Sequence, residues 1–244
     1  NIKVKGLIFY DQWGWSNLEK YKKKLIKKFK KKILIHDRVD SVDLNFNKNQ
    51  KDNQKIYSVF SLSKTIGLKG GGLLIYNNSL LKNENYKSHD SISLEIDKLI
   101  NRNKRYVEYF LDFRKSNIKT ISKNDKNWIQ NNNISKAFES EFLKRKNNLE
   151  IFFNSTNGKK YPKWMKQNLK NNIGPNCIPI FKNKSINFLK NKKNYLFKKY
   201  NIETQIYHFD WAGNPLSPTY LRSLIVPVHG EVKNFQKIVR DLKL

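Results

Sequence analysis

Ser58-Val-Phe-Ser-Leu-Ser-Lys-Thr-Ile-Gly-Leu-Lys-Gly-Gly-Gly-Leu-Leu-Ile-Tyr76 sets one lysine between an apolar run and a glycine-rich turn. Tyr57 to Leu62 carries β-formers, and Gly71 to Tyr76 starts another strand, so Lys64 is expected in the loop that joins them. Ser61 and Ser63 precede it by three and one residues and place short hydroxyls beside an amine. That combination suits a phosphorylated aldehyde: the amine forms a Schiff base and the hydroxyls bond the phosphate. In a chain with 49 Lys and Arg a loop lysine is ordinarily a solvated one, so the reading of Lys64 rests on its neighbours.

Upstream, Ile33-Leu-Ile-His-Asp37 reads as a short buried strand that ends in a carboxylate. In open α/β sheets, ligand groups gather at the carboxyl ends of strands. A carboxylate for a pyridinium nitrogen and a Schiff-base lysine are the minimum equipment for pyridoxal 5'-phosphate chemistry. His36, next to Asp37, points to the opposite face by alternation and is assigned to packing.

With these residues in place the chain resembles the fold-type-I pyridoxal-phosphate aminotransferases, most closely the DegT-like sugar aminotransferases. Asp11-Gln-Trp-Gly14 resembles the family's strand-end turn. Ile35-His-Asp-Arg-Val-Asp40 is similar to its acidic motif, Ser61-Leu-Ser-Lys64 with Gly70-Gly-Gly72 to its lysine loop, and Val226-Pro-Val-His-Gly230 to its closing motif. The resemblance implies α/β architecture: residues 1–130 as the remnant of the cofactor-binding large domain, mostly parallel sheet with helices, and 131–244 as a smaller α+β domain with its linking helix. It implies Lys64 as the catalytic lysine, Asp37 on the cofactor's ring nitrogen, Ser61 and Ser63 near its phosphate, and Trp13 as a wall of the pocket. Amino transfer from glutamate to a nucleotide-linked keto sugar, in a homodimer, is the activity implied; relatives that dehydrate instead carry histidine at the lysine position.

The chain departs from the family in three places. Asp40 stands three residues after Asp37, where many relatives have Gln or His; this position lies near the cofactor's phenolate, which repels a carboxylate unless it is protonated or turned away. Ser63 replaces an arginine that often precedes the lysine. The family's preceding segment, with the helix N-terminus that cradles the phosphate, is not in this sequence, so a truncated large domain with one sheet edge or face uncovered is expected.

Other classes stay open. Ser-Leu-Ser-Lys64 also looks like the lysine motif of amino-acid aminotransferases, although the arginine they place past a following glycine is missing. A non-enzymatic basic binding protein and an inactive fragment with the same fold are further alternatives. The formal net charge of +29 suits phosphate backbones through counterion release, but lysine supplies nearly all of it and arginine, the residue of bidentate recognition, is scarce. No specific nucleic-acid partner is therefore expected, and the lysines should scatter over the surface.

Lysines between 20 and 32 interleave with Leu18, Tyr21, Leu25, Ile26 and Phe29 at helical spacing, the pattern of a crossover helix with a lysine-rich solvent face. No run is long enough to span a bilayer and no signal peptide is visible, so a cytoplasmic location is expected. Cys177 is read as a small buried residue. His89, His208 and His229 are scattered and form no metal set, and Trp15 is assigned to the core. The remaining pattern predicts helices at 91–115 and 134–153 separated by a polar stretch from Ser122 to Asn133, then a polar linker over 158–172. Beyond it come a strand at 177–182, a helix at 185–200, strands at 202–207 and 223–228, and a last helix from 231.

Overall fold

The computed structural model describes residues 6–29, 32–46, 56–68, 70–76, 122–155 and 158–242. The helix expected at 91–115 lies outside these, as does His89. Alternating strand and helix patterns form the first half: β1 (Gly6–Tyr10), α1 (Leu18–Lys28), β2 (Ile33–Asp37), β3 (Ser41–Asp43), β4 (Ile56–Ser61), α2 (Leu62–Ile66) and β5 (Gly72–Tyr76). In α1 the apolar stripe turns Leu25 inward while Lys20, Lys23, Lys24, Lys27 and Lys28 stay exposed. The helix ends where the Phe29 N–H bonds back to the Leu25 carbonyl.

Four of these strands make one sheet in the order β1-β2-β4-β5. The first three are parallel and β5 is antiparallel to β4, so the sheet is mixed where a mostly parallel one is expected. The cause is the short return through the glycine turn: a parallel crossover needs a dozen or more residues, whereas this link is brief enough only for an antiparallel partner. Gly71 takes φ +94° there, and its carbonyl accepts the Leu62 N–H at 3.1 Å.

Register assigns the faces. Tyr10 lies beside Asp37, Asp37 beside Val59, and Ser61 follows on the same side. This face is open: Ile8 is 69% and Leu74 44% exposed, with Tyr10 and Ile33 between them in exposure. Parallel strands are ordinarily covered on both faces. The opposite face carries the buried Leu34, His36 and Phe60.

The second half contains α3 (Lys123–Asn131), α4 (Ile134–Asn154), α5 (Lys163–Lys170), β6 (Ile173–Pro175), β7 (Cys177–Ile180), α6 (Ile186–Tyr200), β8 (Gln205–Asp210), β9 (Tyr220–Pro227) and α7 (Phe235–Asp241). A second sheet, entirely antiparallel, runs in the order β7-β9-β8. Two expected polar connectors are helices instead. Ser122 caps α3 by accepting the Asp125 N–H, and in α5 Met165 and Asn168 supply a buried side that the polar composition conceals. Strand β8 begins three residues later than expected, β9 three earlier, and α7 starts at Phe235.

Helix α4 belongs to both cores. Its N-terminal half places Phe138 and Phe142 against Val42, Phe60 and Leu62, while Leu149, Phe152 and Phe153 join the larger cluster with Trp15, Met165, Ile178 and Phe209. A short antiparallel ladder between β3 and β6 ties the halves further.

Gly14 shows how closely they meet. It has φ +85°, and a Cβ there would lie 2.5 Å from the Asp40 carbonyl oxygen and 2.8 Å from the Pro175 Cα. Gly14→Ala should therefore cost about 3 kcal/mol, the upper range for a residue forced into a strained backbone region, and lower the melting temperature by roughly 10 °C. Calorimetry on the variant checks this, and an unchanged melting temperature would show that the turn can move aside.

Candidate active site

The carboxyl ends of β1, β2 and β4 hold two polar groups on opposite sides of the sheet. On the buried side Asp11, which directly follows β1, accepts from Arg38 Nε at 3.2 Å, and His36 Nε2 stands 2.8 Å from its Oδ2. Arg38 Nη1 also makes a short ion pair with Asp43, and its guanidinium stands 5.2 Å above the Phe60 ring centroid. His36 thus points away from Asp37, as alternation requires, and its buried ring lies against the Asp11 carboxylate.

Burial alone would raise the Asp11 carboxyl, yet the His36 imidazole and then the Arg38 guanidinium hold it below its ordinary 3.8. A carboxyl lowered by folding binds its proton less readily in the folded than in the unfolded chain. Its contribution to stability is complete above pH 3.8 and is lost as the pH falls through the lowered value. Urea midpoints followed from neutral pH down through the carboxylate range should fall more steeply for the natural chain than for Asp11→Asn. Parallel curves would remove Asp11 from the acid transition.

The open side carries the candidate site. Lys64 lies in the middle of α2, one turn beyond the end of β4, and not in a loop. Ser61 caps that turn, accepting the Lys64 N–H at 3.4 Å, and its hydroxyl lies 3.0 Å from that of Ser63. Gly67 ends the helix at φ +74°. The signal for this helix is the serine followed three residues later by its bonded N–H, a cap pattern hidden inside a strand-like composition.

From α2 the Lys64 amine reaches Asp40 Oδ1 at 3.2 Å; the lysine side chain is 49% exposed and the aspartate side chain 3%. Tyr10 donates its hydroxyl to Asp40 Oδ2 at 2.7 Å. Burial first, and then the Asp40 charge, push the Tyr10 phenol well above its ordinary value, so it remains a donor. Asp40 is therefore turned toward the lysine by two partners. The amine and phenol together satisfy the buried carboxylate.

Asp37, half-buried at the end of β2, accepts the Val39 N–H on Oδ1 at 3.2 Å. Tyr10, its register neighbour on β1, bonds to Asp40. Trp13 takes φ +57°, its N–H lies 3.5 Å from the Tyr10 hydroxyl, and its ring meets Tyr207 edge-on at 5.7 Å. It packs against the C-terminal core, while Trp15 is fully within it. Cys177 is buried, and burial raises its thiol.

Sequence patterns alone do not single out Tyr10 or Arg145. The Arg145 side chain is completely buried on α4. It donates to Glu141 Oε1 at 2.8 Å, to the Asp40 and Gly174 carbonyls at 3.2 and 3.1 Å, and to the Lys64 carbonyl at 3.0 Å.

A cleft of about 680 Å³ lies beside Tyr10, between β1 at the end of the order β1-β2-β4-β5 and β8 at the end of the order β7-β9-β8. Tyr207, Tyr220 and Trp164 line it, and among the described residues no Lys or Arg does. The Gln12 side chain spans its floor, donating to the His208 carbonyl at 2.8 Å and accepting the Asp210 N–H at 2.9 Å. Among the described residues no set of three His, Cys, Asp or Glu could hold a metal, and no helix is long and apolar enough to cross a membrane. Comparison with known proteins returns no match: no family model, no curated protein and no solved structure matches this chain.

Proposed function

We propose that the chain is a pyridoxal-phosphate-dependent aminotransferase of the fold-type-I, DegT-like kind, with Lys64 as its reactive amine. The observation that carries this reading is the half-exposed Lys64 amine held by the buried Asp40 carboxylate, with Asp37 at the adjoining strand end. Carboxyl strand ends are where α/β sheets place ligand groups.

The donor set fits the cofactor. Lys64 supplies the amine for its aldehyde carbon. One Asp37 oxygen is committed to the Val39 N–H, which leaves the other for the pyridinium N–H. Ser61 and Ser63 share one hydroxyl hydrogen between them, and the second is available to a phosphate oxygen. When bound, the cofactor supplies an electron sink for a carbanion beside an amine.

The residues then divide the work. Lys64 Nζ must shed a proton before its lone pair can attack a carbonyl, and Asp40 Oδ1 is the base in contact with it. Tyr10 keeps a hydrogen bond on Asp40 Oδ2, so the carboxylate is never left wholly bare when the amine swings away. Asp37 holds the ring nitrogen's proton and makes the electron sink effective. The amino donor is glutamate, the acceptor a nucleotide-linked keto sugar and the working form a homodimer; these rest on the sequence resemblance.

A basic nucleic-acid-binding role is less well supported. Among the described residues the aromatic-lined cleft carries no basic side chain, whereas single-strand binders combine stacked aromatics with a positive groove.

Asp37→Asn tests the reading. The variant should retain pyridoxal phosphate but lose roughly 10²-fold in amino transfer from glutamate, the lower range for a positioned proton-holding group. Equal losses in occupancy and rate would reduce Asp37 to a binding contact, and an unchanged rate would remove it from the site.

A further inference from the structure

Arg145 touches neither the Lys64 amine nor the Asp40 carboxylate, yet it fixes both residues. Nη2 binds the Lys64 carbonyl and Nη1 the Asp40 carbonyl, so one planar guanidinium spans the backbones of the two partners in the ion pair. Nη1 also holds the Gly174 carbonyl on β6, and Nε holds Glu141 one helical turn earlier. Glu141 Oε1 in turn accepts the Gly230 N–H at 3.2 Å, and Asn148 on the same helix face donates to the Val228 carbonyl at 3.1 Å. Glu141, Arg145 and Asn148 at spacings of four and three make a polar stripe along α4. Its two ends, Glu141 and Asn148, hold the segment after β9, and Arg145 between them holds the lysine helix.

We infer that Arg145 is a positioning residue for the reactive amine: it sets the Lys64–Asp40 distance from the helix side and fastens that distance to the C-terminal half through Glu141. A buried guanidinium is costly unless its donors are well used. Here it is spent on three carbonyls, two of which belong to the pair. The fork geometry is essential, because an ammonium is a point donor that cannot reach all three carbonyls in one plane.

The inference rests on Lys64 as the reacting amine, but its test needs no cofactor. Trace acetylation with acetic anhydride, read by mass spectrometry over a pH series with the other lysines as internal references, reports the reactivity of the Lys64 amine. Arg145→Lys and Arg145→Met should each displace the Lys64 pH–rate profile from that of the natural chain and change its relative rate several-fold. In an Asp40→Asn background the same substitutions should add nothing, since there is no pair left to position.

Arg145→Lys keeps the charge and serves where Arg145→Met fails to fold. An equal effect in both backgrounds would show general loosening and overturn the inference. So would an unchanged Lys64 profile in the folded lysine variant. Failure of pyridoxal phosphate to bind would leave these acetylation profiles as they are and would count against the proposed function alone.

Discussion

Lys64→Arg should abolish amino transfer, lowering the rate by about 10⁴-fold, the upper end of what a positioned proton-transfer group contributes. Arginine keeps a positive charge within reach of Asp40, so the ion pair survives in a changed geometry. Because arginine still offers the buried Asp40 carboxylate a cationic partner, the melting temperature should hardly move. What is lost is an amine with a releasable proton, because a guanidinium neither gives up its proton nor attacks a carbonyl at neutral pH. Comparing the thermal transition with the rate of keto-acid formation from glutamate separates the two effects. Retained turnover in a folded Lys64→Arg protein would exclude the lysine from the chemistry.

Arg38→Met should be the most damaging single change to the fold. Arg38 is buried between Asp11 and Asp43, and burial, which alone would lower its affinity for a proton, is outweighed by those carboxylates, Asp43 first. Methionine would fill much of the volume above Phe60, but it would strand Asp43 without its ion-pair partner and take from Asp11 its guanidinium partner. Breaking a buried pair in this way costs about 3–5 kcal/mol, a large share of the roughly 5–15 kcal/mol that holds a typical domain together. Urea unfolding measures the loss directly. A cost below about 1 kcal/mol would mean that water or His36 satisfies both carboxylates.

The strands read at Ile33 to Asp37 and Tyr57 to Leu62 were legible, at Ile33–Asp37 and Ile56–Ser61, because apolar runs bounded by polar turns have few other solutions. Helix α4, expected at 134–153, forms at Ile134–Asn154. The polar helices α3 and α5 were not, because each buries one narrow side and takes its start from a local cap or from proline, which composition does not display. Strand β6 was hidden for a different reason. Ile173-Gly-Pro175 is too short to show a period, and it exists only because β3 offers it a partner from more than a hundred residues away.

The site divides in the same manner. Lys64, Asp37, Ser61 and Ser63 stand out by their types and spacing. Asp40 stood out as a departure, but its pairing with Lys64 depends on a turn and a one-turn helix coming together in space. Tyr10 and Arg145 are invisible in a linear reading: one looks like the last residue of a strand, the other like one more cation in a basic helix. Only the tertiary arrangement gives the phenol its carboxylate and the guanidinium its three carbonyls.

The identity of the reactive lysine can be read directly. The chain is incubated with pyridoxal phosphate, reduced with borohydride and digested, and the site of the pyridoxyl adduct is mapped by mass spectrometry. A stoichiometric adduct on Lys64, absent from Lys64→Arg, is the expected result. An adduct spread over the surface lysines, concentrated on another residue, or missing altogether would contradict the assignment.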